Sequence, residues 1–217
     1  TKNTIIAKGE QWVKAHKHIM IVAALVVIYT IYFSTVTFLR YDNLYTGKFD
    51  LGNMSQTVWN TTQGRIFMFT HPDLGENMSR LAVHADFILV LLAPLYALWP
   101  DPRNLLFIQT VVLATGAIFV YLISKEVLKN KNLALTFAFV YLINPSLQRT
   151  NLYDFHAVTL ATTFFLAAFY FFIKKRYTYF LLFALLAGFC KEHVWLIISL
   201  FGFLLFFWHK KRLFGSI

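Results

Sequence analysis

The sequence holds a single cysteine, Cys190, which rules out an internal disulfide. Charge is scarce: 14% of the 217 residues are Asp, Glu, Lys or Arg, against about 25% in soluble domains. Acids are the rarer sign, 10 against 20 Lys and Arg. No internal repeat and no low-complexity linker breaks the chain. No A-x-A cleavage pattern follows the first apolar run, 19–39, so that run reads as a retained anchor and not as a signal peptide. Apolar bulk takes the place of charge, with 58% hydrophobic residues and 24 Phe. Several apolar runs approach the roughly 20 residues that cross about 30 Å of hydrocarbon. The sequence is that of an integral membrane protein.

Seven apolar segments stand out, at 19–39, 87–99, 104–124, 133–148, 157–173, 180–190 and 194–208. The formal net charge of +10 sits in short clusters between them: +3 over 1–18, +2 over 125–131, +3 over 174–176 and +3 over 210–212. That arrangement fits membrane topology and not a nucleic-acid-binding face. With a cytoplasmic N-terminus, a full span at 87–99 would put the last three clusters outside. If 87–99 is instead a re-entrant or interfacial hairpin, all four fall inside, as the positive-inside rule requires. Thirteen residues of helix reach only about 20 Å, and Pro94 interrupts them. A segment extended back through His84 and Asp86 would reach across, so both topologies stand at this point. The expected fold is an all-α polytopic membrane protein of about six to seven membrane helices. It forms one transmembrane domain over residues 1–217, with a large outer loop, 40–86, after the first helix. The expected location is the cell membrane, multi-pass. The first residue is not Met and the last lies just past an apolar run, which leads us to expect the N-terminal part of a longer protein.

Polar residues at the seams are the candidates for chemistry. Asp50 precedes Leu51, Met54 and Val58, which share helical spacing and suit a short amphipathic helix in the interface. Asp50 is either the cap of that helix or a working acid, and one residue can be both. His84 and Asp86 precede the segment 87–99, and Asp154 and His156 precede 157–173. Carboxylates and imidazoles converging at a membrane face suit acid–base work or a divalent ion. Each His taken alone is equally a locally bonded side chain, and the spacing matches no strong metal signature. Lys191, Glu192 and His193 interrupt an apolar stretch running from Phe180 to Trp208. They form a tight turn between two helices, a functional site, or a turn at the edge of a cavity. Lys191 has the charge to hold a phosphate, assisted by Arg149 or Arg40. Three N-x-S/T sequons, at Asn53, Asn60 and Asn77, fall in the loop.

Several stretches carry a resemblance: FDLGNMSQTVWN at 49–60 with Gly64, His84 leading into LAPLY at 92–96, NPSLQ at 144–148 running to DFH at 154–156, and KE at 191–192. In this order they resemble a prokaryotic family of predicted membrane proteins of unknown function, grouped with the GT-C glycosyltransferases that use polyprenyl-phosphate-linked sugars. Where the family runs K-E-D, this chain has His193. The resemblance implies a GT-C-like architecture, with an essential acid in the first outer loop. It makes Asp50 the base or metal-binding carboxylate and groups Asp154, His156 and His84 with it. Lys191 would face the lipid phosphate, with Glu192, Arg149, Gln56 and Trp59 as further substrate-binding candidates. Asp50 and His84 would be the ligands of a divalent ion such as Mg, Mn or Zn. The implied function is sugar transfer from a polyprenyl-phosphate donor on the outer face, with membrane lipid as partner and no nucleic acid. Two other functions are compatible with the residues: a transporter or flippase for a lipid-linked or anionic solute, and a non-catalytic assembly subunit.

Overall fold

The computed structural model describes the backbone of residues 2–214 and the side chains of 16–47, 49–203 and 207. Helix α1 (Lys2–Asp42) leads into a π-helical turn (Lys48–Gly52), α2 (Asn53–Thr62), and a hairpin of β1 (Met68–Thr70) and β2 (Asn77–Ser79). A 3₁₀ turn (Arg80–Ala82) and α3 (Ile88–Leu98) follow. The remainder is helical: α4 (Pro102–Leu128), α5 (Lys131–Ile143), α6 (Pro145–Leu152), α7 (Ala157–Ile173), α8 (Tyr177–Gly188) and α9 (Glu192–Phe214). The strands pair antiparallel, with Phe69 opposite Met78.

Among the described residues two helices are long and apolar enough to cross a membrane, His16–Asp42 within α1 and Pro102–Leu128. The other apolar helices are shorter; α3, α5, α7 and α8 have 11, 13, 17 and 12 residues. The apolar run 133–148 does not form one helix. Pro145 lacks an N–H and disfavours helical backbone at Asn144, which sits at φ −61°, ψ 121°. Asn144 instead caps α6, accepting hydrogen bonds from the amides of Ser146 at 2.9 Å and Leu147 at 3.3 Å.

Helices α1 and α4 run antiparallel, with Arg103 at the start of α4 bonded to Asp42 at the end of α1 (3.2 Å). The core has two parts. One, around Val22, Phe33, Leu113, Ala117 and Ala138, joins α1, α4 and α5. The other, around Leu51, Met54, Val58, Leu89, Leu92, Phe155 and Leu160, seats α2 and α3 on α4 and α7. Leu51, Met54 and Val58 are all buried, as their helical spacing predicts.

Both ends of α3 lie at the same end of the bundle. The Ile88 amide bonds the Phe189 carbonyl in the turn between α8 and α9 (2.9 Å). At its other end Trp99 packs edge-on against Phe38 of α1 (centroids 5.8 Å apart), near the Asp42–Arg103 pair. Helix α3 therefore does not cross the bundle, and α2 caps it through a 2.7 Å hydrogen bond between Ser55 and Tyr96. The seams 42–86, 99–103, 153–156 and 189–192 form one end layer. Lys17, Lys125, Lys129, Lys131 and the cluster 174–176 fall at the other.

Candidate functional site

The end layer brings together residues that lie a hundred positions apart in sequence. Residues 154–156 lie between α6 and α7 outside any helix, with His156 extended at φ −132°, ψ 121°. Phe155 is driven into the core at 0% exposure and anchors the segment, leaving Asp154 and His156 on the opposite side. His156 Nε2 lies 2.9 Å from Asp50 Oδ1. Tyr153 donates its hydroxyl to Asp50 Oδ2 at 3.3 Å, and its ring sits 5.3 Å from that of His156. Asp50 is not the helix cap: Gly52 holds the position before α2, with helical dihedrals and no side-chain cap.

Imidazole Nδ1 of His156 faces the Asp154 carbonyl at 3.2 Å. Both ring nitrogens thus face oxygens: with Nδ1–H donated to the Asp154 carbonyl, one proton shared between Nε2 and Asp50 Oδ1 makes both contacts hydrogen bonds. Asp154 Oδ2 accepts the Gly47 amide at 2.6 Å, which fixes the chain entering the π-helical turn. Burial raises the Asp154 carboxyl above its ordinary range. The Gly47 amide opposes that shift, the Asp50 charge adds to it, and His156 and Arg40 oppose it. The negative charge of Asp50, and the hydrogen bond to it, likewise raise the Tyr153 phenol.

Asp50 and His156 open into a cavity of about 330 Å³ whose wall includes Arg80, His71, His84 and Lys191. Arg80 is buried; its Nη2 lies 2.8 Å and its Nε 2.9 Å from Asp86 Oδ2, and its guanidinium covers Phe69 at 5.8 Å. His84 Nδ1 bonds Glu192 Oε1 at 3.0 Å, and Glu192 Oε2 accepts the Ala85 amide at 3.1 Å. The turn before α9 is made by Phe189 and Cys190, earlier than the 191–193 turn expected; Glu192 and His193 already belong to α9, and Lys191, just before it, lines the cavity. Lys191 makes no ion pair among the described residues.

Some candidates lie elsewhere. Arg149 is exposed on α6 and does not line this cavity. The cation that acts on Asp154 is Arg40. Gln56 and Trp59 face a different cleft, and the Gln56 amide is bonded by Thr70 through both of its ends (2.9 and 3.0 Å). Asp50 and His84, offered as ligands of a divalent ion, are bonded to His156 and Glu192 respectively, and no group of three His, Cys, Asp or Glu side chains gathers among the described residues.

Three partners carry no mark that the sequence motifs pick out. Gln109, fully buried on α4, accepts from the His156 amide at 2.9 Å and from the Thr159 hydroxyl at 2.8 Å. An amide inside an apolar run is the signal that could have marked it, because polar side chains at that depth need partners. Gly47 leaves no such signal, and Arg80 is one loop cation among several.

A helical bundle with two bilayer-length apolar helices and a layer of paired polar residues at one end belongs to the class of α-helical membrane proteins. The chain is a member of the predicted membrane protein family DUF2079, whose model matches residues 40–217, most of its length. No curated protein and no solved structure matches it.

Proposed function

We propose that the chain is a multi-pass membrane glycosyltransferase of GT-C type, moving a sugar from a polyprenyl-phosphate donor to an acceptor at the outer face of the cell membrane. The observation that carries this reading is the Asp50–His156 pair, 2.9 Å apart, opening into a cavity that also holds Lys191. The basic clusters lie at the far end of the bundle. The positive-inside rule then makes that end and the N-terminus cytoplasmic, and turns the cavity outward. The motifs shared with the GT-C-allied family supply the reaction class.

In this reaction Asp50 takes the proton of an acceptor hydroxyl as that oxygen bonds to the anomeric carbon of the donor sugar. The bond from that carbon to the phosphate oxygen breaks, and polyprenyl phosphate departs with the electron pair. Lys191, at the cavity edge, offsets the charge that grows on the leaving oxygen. His156 and Tyr153 hold the Asp50 carboxylate in place, and Gln109 and Phe155 hold His156.

The test is release of free polyprenyl phosphate from a sugar-loaded donor by the purified protein in nanodiscs. Asp50→Asn should lower release by roughly 10²–10⁴-fold while leaving the melting temperature near that of the parent. Full release by that variant would remove Asp50 from the chemistry. Transfer of intact donor between leaflets without release would replace the enzyme with a flippase.

A further inference from the structure

The segment that carries Asp50 has two sides. Phe49, Asp50, Asn53 and Met54 face the cavity that holds His156 and Lys191. Leu51, Gly52, Ser55, Gln56 and Trp59 face a separate cleft of about 540 Å³. That volume lies within the range of small-molecule sites, about 300–1,000 Å³. The two share no lining residue, so the π-helical turn and the start of α2 form a thin wall between them.

The chemistry of the cleft differs from that of the cavity. Tyr41, Trp59 and Tyr96 supply three aromatic rings, and Thr46, Ser55 and Gln56 supply neutral hydrogen-bonding groups. Among the described residues no charged side chain lines it. Behind two of the rings stand cations: Arg65 lies 5.3 Å from the Trp59 ring and Arg103 lies 5.5 Å from that of Tyr41. Rings already engaged by guanidinium groups are poor hosts for a second cation. An anion finds no lining Lys or Arg to pair with. Neutral donors and acceptors beside flat apolar faces match a ligand with hydroxyls at its edge and C–H groups on its face. Trp59 remains 43% exposed at the rim, with apolar surface to bury on binding. The Ser55–Tyr96 hydroxyl pair and the doubly bonded Gln56 give the cleft a preorganised wall. Gly47 and Gly52 also line the cleft.

We propose that this cleft binds an uncharged saccharide. The inference rests on the glycosyltransferase reading and extends it with a saccharide subsite: a one-turn wall separates the cleft from Asp50, so it holds a sugar unit of the substrate remote from the hydroxyl that reacts at Asp50.

Saturation-transfer NMR tests it, on protein in nanodiscs of phosphatidylglycerol and phosphatidylethanolamine prepared free of sugar-based detergent. The probes are the methyl glycosides of glucose, galactose, mannose and N-acetylglucosamine, with choline and inorganic phosphate alongside. Transfer to the ring C–H protons of at least one glycoside is expected. It should fall roughly fivefold or more in Trp59→Ala and persist in Trp59→Phe, as expected for loss and retention of a ring contact. It should also persist in Asp50→Asn, whose side chain faces the other cavity. If Trp59→Ala loses its melting transition, Tyr41→Leu makes the same test from another ring. The proposal is overturned by absence of transfer to every glycoside, by transfer indifferent to both ring variants, or by stronger transfer to choline or phosphate. Loss of glycoside binding with polyprenyl-phosphate release intact would remove this cleft alone. Glycoside binding without release would support the cleft and count against the enzyme reading.

Discussion

The two ends of the bundle use the same kinds of charged residue in opposite ways. At the basic end Glu126 reaches Lys129 at 3.1 Å and Lys174 at 3.2 Å, and Lys129 is 73% exposed. Such pairs are screened by water and contribute little to stability. At the other end Arg80 and Asp86 meet at 2.8 Å with side chains 5% and 1% exposed. A charge taken that far from water is tolerated only with its partner in place. On the proposed topology one end would use charge for orientation in the membrane, whereas the other uses it to hold a layer of loops in one geometry. The contrast also bears on where the candidate site lies: Asp50 and His156 are held by part-buried partners, whereas the far-end lysines Lys129 and Lys174 pair with Glu126 in contact with water.

The largest effect should come from breaking the buried pair. Arg80→Ala leaves the Asp86 charge uncompensated and should cost about 3–5 kcal/mol, read as a fall in the thermal midpoint in nanodiscs. The double variant Arg80→Met, Asp86→Leu should recover most of that loss, because it removes both charges together. Equal losses in the single and double variants would mean that the pair matters for packing and not for charge. Next in size is Gln109→Leu. It strips the acceptor from the buried His156 amide and should cost about 1–3 kcal/mol. It should also lower polyprenyl-phosphate release by freeing His156, whereas Gln109→Glu should keep the acceptor and the position of His156.

A smaller effect, dependent on pH, is expected at Asp154. Its folded carboxyl is raised by burial, so the folded chain holds that proton more tightly than the unfolded chain does. The stability it contributes is full below the unfolded carboxyl value and is lost as pH rises through the raised one. Asp154→Asn is fixed in the neutral form and still offers an oxygen to the Gly47 amide. The variant should therefore gain on the parent as pH climbs from acid towards neutral, in thermal midpoints measured side by side. A difference that is flat with pH would mean the carboxyl is already ionised at no cost.

Much of this layout was legible in the sequence where charge repeats along the chain. The four basic clusters predict that 87–99 fails to cross, and the two ends of α3 do lie together, beside Phe189 and Phe38. The same charge pattern placed Asp50, Asp154 and His156 at one level, and the 2.9 Å contact joins Asp50 to the 154–156 segment. Other features depend on a partner that no local pattern shows. Gly47 matters because its amide meets Asp154, 107 residues away. Arg149, offered beside Arg40 as a helper to Lys191, is exposed on α6 and does not line the cavity that holds Lys191. Gln56 and Trp59 lie in a different cleft from Asp50 for a geometric reason: at six and nine residues beyond it they fall about 240° and 180° round a helix, so residues of one sequence motif face two sides.

The smallest effect is the sharpest test of the contrast between the ends. Glu126→Gln removes the one acid that bridges Lys129 and Lys174, with no buried group left unpaired. Its cost should be the smallest of these variants and shrink further as salt rises, because exposed pairs are screened over roughly 10 Å at 0.1 M. Removing an acid also leaves the clusters more positive, so the orientation of the protein in the membrane should be unchanged. Single cysteines at Asn53 and Lys129, with Cys190 replaced, report that orientation through a membrane-impermeant thiol reagent applied to intact cells. Labelling at 53 and not at 129, in parent and variant alike, fits charge that directs topology without holding the fold together. A loss comparable to that of Arg80→Ala would mean that the basic end is as tightly built as the site end. The distinction between the two ends would then fail.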